Sequence, residues 1–169
     1  MKMRYLLVVI TLFFISCGDI QDEHLSIEGI TYTDIHGNVS NIDYNDWNLN
    51  EEFTSREKQL FDSLNFNKTA KAETDVNSVY YNRTPYIKFY PNPFSTTGFI
   101  QFYRPDLIYN VVVSDNKYNK LVSFRWTEKP LGCAYNYSTL NSGIYRMYYV
   151  IQDLKYNIVH QGHGDIQKE

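Results

Sequence analysis

The chain has little cysteine, no basic run and none of the short motifs that carry chemistry. Two cysteines occur, Cys17 and Cys133. If Cys17 is modified, Cys133 has no partner and no intrachain disulfide forms. Lysine and arginine never cluster, and the formal net charge is −3. That sign and pattern exclude a nucleic-acid binder, which needs a basic footprint. There is no Gly-Xaa-Ser-Xaa-Gly, no His-Glu-Xaa-Xaa-His, no glycine-rich phosphate loop and no paired-cysteine motif. Esterase, zinc-protease, nucleotide and thiol-redox chemistry therefore lack their usual signatures. A hydrophobic run long enough to span a bilayer is missing too. The apolar stretch Tyr5 to Ile15 has eleven residues. As a helix it covers about 16 Å at 1.5 Å per residue, against a hydrocarbon core of about 30 Å.

What is present begins at the amino terminus. Lys2 and Arg4 form a short basic region before the apolar run, and Phe14-Ile15-Ser16-Cys17-Gly18 follows it. This segment is similar to the lipobox of bacterial lipoproteins. The resemblance implies that residues 1–16 are a signal peptide, cut before Cys17, and that Cys17 carries acyl chains. The protein is then expected in the outer membrane, facing the periplasm or the cell surface. Several acyl chains bind a bilayer stably, since each buried CH₂ contributes about 0.8 kcal/mol. Two other readings stay open. Ser16 and Gly18 also suit an ordinary signal peptidase, and the segment could remain uncleaved. Cleavage before Cys17 removes two basic residues and leaves 14 basic against 19 acidic side chains, a net charge of −5.

Sixteen tyrosines and ten phenylalanines point to strands, where aromatic rings pack across a pleated face. Helix formers are scarce after residue 65, and asparagine is frequent, which favours turns. The expectation is a mainly β protein. Residues 17–25 read as a lipidated acidic tether, and residues 26–78 as an amino-terminal region. Within that region Ile27 to Thr33 reads as a strand and Trp47 to Glu52 as a loop. Thr54 and Glu57 have capping-box spacing, and Leu60, Phe61 and Leu64 follow at helical intervals, which predicts a short helix over 55–64. Residues 65–78 are polar and read as a linker. From residue 79 to 169 short apolar runs alternate with turn signals. Strands are expected near 85–90, 99–103, 108–114, 120–126, 134–138, 144–152 and 156–163. Seven strands at this spacing predict an Ig-like antiparallel β-sandwich.

One pattern recurs. Asp115-Asn116-Lys117-Tyr118-Asn119 and Asp153-Leu154-Lys155-Tyr156-Asn157 each lie between apolar runs, and Asp34-Ile35-His36-Gly37-Asn38 is a looser copy. Asp accepts backbone N–H bonds at the start of a turn, and Asn tolerates positive φ at its end. One hairpin turn used three times is the simpler reading; a ligand-binding repeat is the sharper one.

The later half carries a resemblance. Tyr90-Pro91-Asn92-Pro93-Phe94, Phe99-Ile100-Gln101-Phe102, Val111-Val112-Val113-Ser114-Asp115 and Ser142-Gly143-Ile144-Tyr145 resemble the carboxy-terminal sorting domain of type IX secretion cargo. That family opens with a Pro-Asn-Pro motif and carries Ser-Gly-Xaa-Tyr entering a late strand. The match covers residues 85 to about 165. It implies a small Ig-like sandwich and a Gram-negative lineage with type IX secretion, and a sorting-like role as one alternative function. In place of that family's basic final strand this chain has His160-Gln161-Gly162-His163-Gly164-Asp165-Ile166. In the same lineage, surface-exported lipoproteins carry an acidic tract just after the lipidated cysteine, which Gln21-Asp22-Glu23 resembles. The other reading of that tract is a solvated tether.

His160, His163 and Asp165 are the candidates for a metal, since imidazole and carboxylate suit zinc. Residues three apart on a strand point to opposite faces, so the set converges only if Gly162 and Gly164 bend the chain. No cofactor is expected. Trp47, Trp126 and the tyrosines offer a carbohydrate-stacking face or simple packing. Cys133 reads as a half-buried thiol without an activating base. The sequence thus predicts a non-catalytic envelope lipoprotein, held through Cys17 and meeting another envelope protein. Carbohydrate or metal binding is the alternative.

Overall fold

The computed structural model describes residues 24–27, 29–69, 87–127 and 132–169. The described chain is mainly β. In order it forms β1 (Tyr32–Thr33), β2 (Val39–Asn41), α1 (Ser55–Gln59), β3 (Ile87–Tyr90), β4 (Thr97–Phe102), β5 (Ile108–Ser114), β6 (Lys120–Trp126), β7 (Gly132–Asn136), β8 (Gly143–Gln152) and β9 (Ile158–Lys168). β1 and β2 pair as a hairpin. β3-β4-β7 form one antiparallel sheet and β6-β5-β8-β9 the other. This is an Ig-like sandwich: β3, β4 and β7 stand where strands A, B and E stand, and β5, β8 and β9 where C, F and G stand. The two sheets hold the expected seven strands, and the hairpin brings the described total to nine.

The period-2 pattern explains the inner core. In β4, Gly98, Ile100 and Phe102 are buried and their neighbours are not. Phe89, Ile100, Phe102, Val111, Val113, Tyr149, Ile151 and Ile166 meet between the sheets. Each such side chain contributes about 1.5–3 kcal/mol on burial. β5 breaks the alternation, because all seven of its residues are buried. A strand buried on both faces needs a cover on its outer side. Residues 53–66 supply it: Phe53, Leu60 and Phe61 pack on Val112, Tyr148, Val150 and Ile158. Phe53 meets the Tyr148 ring edge-on at 5.5 Å between centroids.

α1 starts where its cap predicts. Thr54 Oγ1 accepts the Glu57 N–H, and the Thr54 N–H donates to Glu57 Oε2 at 2.7 Å. The helix is shorter than the expected 55–64. Beyond Gln59 the chain closes in three-residue turns, with Phe61 N–H donating to Lys58 O and Leu64 N–H to Phe61 O. Asp62 and Ser63, weak helix formers, sit in that stretch. The expected linker differs as well. Phe66 packs against Phe53 and Phe61, and Thr69 bridges to Ile158, so residues 65–69 belong to the packed body. Residues 70–78 lie outside the described residues. The expected strand over Ile27 to Thr33 is confined to Tyr32–Thr33. β9 runs five residues past the expected end at 163, where it pairs with the start of β8 from Gly143 to Met147 and bridges Phe94 on its other edge.

Candidate functional site

The outer edge of β9 is where arm and sandwich meet. Three separate stretches of chain cover it. Thr69 bridges Ile158 and Asn50 bridges Gln161, both parallel. Trp47 N–H donates to His163 O at 2.7 Å, and Phe94 N–H to Gln167 O at 2.9 Å. Gly162 and Gly164 make this possible. A Cβ on Gly162 would lie 1.8 Å from Asn48 O, and one on Gly164 would lie 2.3 Å from the Trp47 ring. The glycines read from sequence as a bend are the places where the arm closes on a continuing strand. An exposed strand edge is a template for aggregation, and here it is paired along its length.

The titratable cluster sits on this seam. β9 alternates, so His163 and Asp165 share the outer face while His160 lies on the inner one. His160 Nδ1 is 3.3 Å from Asn50 Oδ1, away from the other two. The third member of the cluster is Asp46, from the arm. Asp46, His163 and Asp165 each place a ligand atom within 4.8 Å of the others. Nothing in the sequence pairs Asp46 with Asp165 across 119 residues. The donors are already engaged. Asp165 takes Arg146 Nε and Nη2 at 2.7 Å each. Asp46 Oδ2 accepts the Thr31 N–H at 2.8 Å and Oδ1 the Asp165 N–H at 2.9 Å. His163 Nδ1 is 2.5 Å from Glu51 Oε2. Burial and the charge of Asp165 push the Asp46 carboxyl up to about 6. A carboxyl of that pKa suits general-acid work, yet Asp46 is 8% exposed and does not line the open cleft. The arrangement is a clamp between arm and strand.

The motif residues of the later half also hold the fold together. Asn92 is buried. Its Nδ2 donates to Thr31 O and Asp165 O, its Oδ1 accepts the Gln167 N–H, and its backbone exchanges two bonds with Thr33. The peptides before Pro91 and Pro93 are cis. Through this kink the chain leaves β3 and joins β9 in parallel at Phe94. Tyr145 donates its hydroxyl to Asn141 O at 2.7 Å, the tyrosine corner of Ig-type sandwiches.

The three turns share one set of bonds. In each, one Asp oxygen accepts two backbone N–H groups and the other accepts the Asn side-chain amide at 2.8 Å. Positive φ falls on the residue before the Asn, at Gly37, Tyr118 and Tyr156, and not on the Asn itself. The Asp oxygens thus serve the turn.

The open feature is a cleft of about 530 Å³ between the arm and the sandwich end. Ile27, Ile30, Tyr32, Ile42, Tyr44 and Ile144 give it apolar walls; Asn41, Asp43, Asn45 and Gln167 give it polar ones. Both tryptophans are packed elsewhere. Trp47 stacks on Tyr149 at 6.1 Å, and Trp126 meets Phe102 and Phe124. Cys133 is half-buried, and burial pushes its thiol up, away from the reactive range. Cys17 and the tract Gln21, Asp22 and Glu23 lie outside the described residues. Among the described residues no helix is long and apolar enough to cross a membrane. No protein family, no curated protein and no solved structure matches the chain.

Proposed function

We propose that this protein is a non-catalytic envelope lipoprotein. Cys17 carries the anchor, residues 17–25 form the lipidated tether, and the Ig-like sandwich is an interaction module for another envelope protein. The observation that carries the reading is a division of labour. The groups able to do chemistry, Asp46, Arg146, His163 and Asp165, spend their bonds on the seam. The accessible cleft is walled by isoleucine, tyrosine and amides, with one carboxylate, Asp43, whose Oδ1 accepts the Asn45 N–H. A surface of that composition suits contact and not turnover. The lipobox-like segment Phe14-Ile15-Ser16-Cys17-Gly18 supplies the address.

Metabolic labelling with palmitate in a Gram-negative host tests it. The parent chain takes up label and sediments with membranes, and cleaved Cys17→Ser protein does neither. A cleaved Cys17→Ser protein that still sediments with membranes overturns the reading.

A further inference from the structure

We propose that the sandwich end carrying Tyr32, Ile42, Tyr44 and Ile144 rests on the bilayer that holds the anchor, with these side chains in the headgroup region. This rests on the lipoprotein reading above. The register defines that end. Ser114 lies opposite Arg146, and Gly143 opposite Lys168, so the β5–β6 turn, the start of β8 and the end of β9 come together there. The arm enters at the same end, where the Leu25 N–H donates to Asn116 O at 2.8 Å.

Length then decides which surface can reach the membrane. From Cys17 to His24 there are seven residues, which cannot span more than about 25 Å. β8 has ten residues, about 33 Å at 3.3 Å each. The opposite end, with the β8–β9 turn, lies farther from the entering chain than that tether extends. The end beside the tether is held close to the lipid, and even a weak patch is then occupied.

The chemistry of the patch matches. Tyr32 is 39% exposed, Ile42 55%, Tyr44 85% and Ile144 43%. Tyr32, Ile42, Tyr44 and Ile144 all line the cleft at this end. Tyrosine has an apolar ring with a polar tip, the form that settles at a membrane interface. The carboxylate of Asp43 lines the cleft and Lys168 lies opposite Gly143, the residue before Ile144, so this end carries both signs of charge and the docking is assigned to apolar contact. Contact with lipid also gives these exposed side chains a partner that a sugar or a folded protein would otherwise have to provide.

Bromine on lipid acyl chains quenches nearby indoles, and that gives the test. The acylated mature chain is placed in phosphatidylethanolamine–phosphatidylglycerol vesicles with brominated acyl chains. An indole is added at this end by Tyr44→Trp, or at the opposite end by Leu154→Trp. The parent signal from Trp47 and Trp126 is subtracted. Tyr44→Trp is expected to lose about half its added emission, and Leu154→Trp less than a tenth. Vesicle-bound protein with no quenching at either position overturns the docking while the anchor stands; the cleft is then free for a protein or sugar. Equal quenching at both positions also overturns it, since the molecule then lies on its side. A chain that carries no acyl group and does not sediment with vesicles overturns the lipoprotein reading, and this inference with it.

Discussion

Between residues 87 and 169 the chain is held by ladders. β8 alone exchanges register with β5 over seven residues and with β9 over ten. Between residues 24 and 69 there are strands of two and three residues and one helix of five. Yet this arm also has a buried apolar set, Ile30, Leu49, Phe53, Leu60 and Phe61. Leu49 belongs to the inner core, and Phe53, Leu60 and Phe61 to the outer one. The difference lies in what fixes position. In the sandwich a regular backbone places the side chains. In the arm single side chains place the backbone: Asp46 holds Thr31 and Asp165, and Trp47 lies in the space Gly164 leaves open. A ladder loses one bond when one residue changes, whereas the arm loses its seat.

The sharpest way to break that comparison is Gly162→Ala. The added methyl would stand 1.8 Å from the Asn48 carbonyl oxygen, a backbone atom that cannot swing aside. Overpacking usually costs about 1–3 kcal/mol, and a backbone collision belongs at or beyond the upper end. Denaturant unfolding is expected to show about 3 kcal/mol or more of lost stability. Hydrogen exchange locates the loss. The amides of Trp47, Glu51 and Gln161, which cross the seam, should lose protection first, while those of Val111 and Tyr149 keep theirs. An unchanged midpoint means the arm is not seated on Gly162. A single cooperative loss at all five amides means arm and sandwich are one unit, and the distinction between them disappears.

The same difference explains how much was legible in the sequence. β5 and β6 fall on the expected 108–114 and 120–126, because Val111-Val112-Val113 and the Asp-to-Asn turn mark them locally. The N-cap at Thr54 was legible for the same reason: Thr54 and Glu57, three positions apart, carry the whole signal. The arm's seat was not. Asp46, Trp47 and Asn48 show no period, and their partners on β8 and β9 lie more than 100 residues away. Gly162 and Gly164 were visible as glycines, but what fills the space above them was not. Of the metal candidates, His163 and Asp165 come together and His160 does not, which follows from strand alternation. Asp46 had no signal at all.

A second prediction sharpens the comparison at the clamp. The Asp46 carboxyl titrates near 6 in the folded chain and near 3.8 when unfolded. Between these values the folded state holds a proton that the unfolded state has lost. Stability from this group is therefore greatest below about pH 4 and falls as pH rises to 6. A tenfold difference in proton affinity corresponds to about 1.4 kcal/mol, so the window carries about 2 kcal/mol. Asp106 is held below 3.8 by the Arg104 guanidinium, and Asp115 by turn bonds from Asn119 and Lys117 that together outweigh its burial. Their contribution is lost only under about pH 4. His160 is pushed down by burial and acts in the opposite direction, losing stability as pH falls below 6.5. It does so with or without Asp46, so it cancels in a difference. Unfolding of the parent and of Asp46→Asn at pH 4, 5, 6 and 7 isolates the clamp. Asn cannot accept both N–H bonds, so the variant is less stable throughout. The gap between the two is expected to narrow by about 2 kcal/mol from pH 4 to pH 6. A constant gap means the carboxyl titrates in its ordinary range and water reaches the seam.

The smallest effect comes from the two turns that share a backbone but not a neighbourhood. Tyr118 and Tyr156 both sit at φ 64, where a side chain costs roughly 1–2 kcal/mol and glycine costs none. Glycine gives back about 0.5–1 kcal/mol through the freer unfolded chain. On backbone grounds alone Tyr118→Gly and Tyr156→Gly should behave alike and lie near neutral. Their surroundings separate them. Tyr156 is exposed, with the Arg125 guanidinium 5.5 Å above its ring. A contact of that kind at the surface is worth about 0.5 kcal/mol. Tyr118 is half-buried against the outer core, and the arm's Arg56 lies 4.6 Å over its ring. Arg56 also donates to Lys117 O in the same turn. Tyr118→Gly therefore removes part of the arm's seat, while Tyr156→Gly removes only a turn residue. The expected outcome is a change within about 0.5 kcal/mol of zero for Tyr156→Gly and a loss about 1 kcal/mol larger for Tyr118→Gly, read from denaturant midpoints at constant slope. Equal effects would mean that the arm draws nothing from the turn it rests on, and that its hold on the sandwich comes from β9 and the outer face alone.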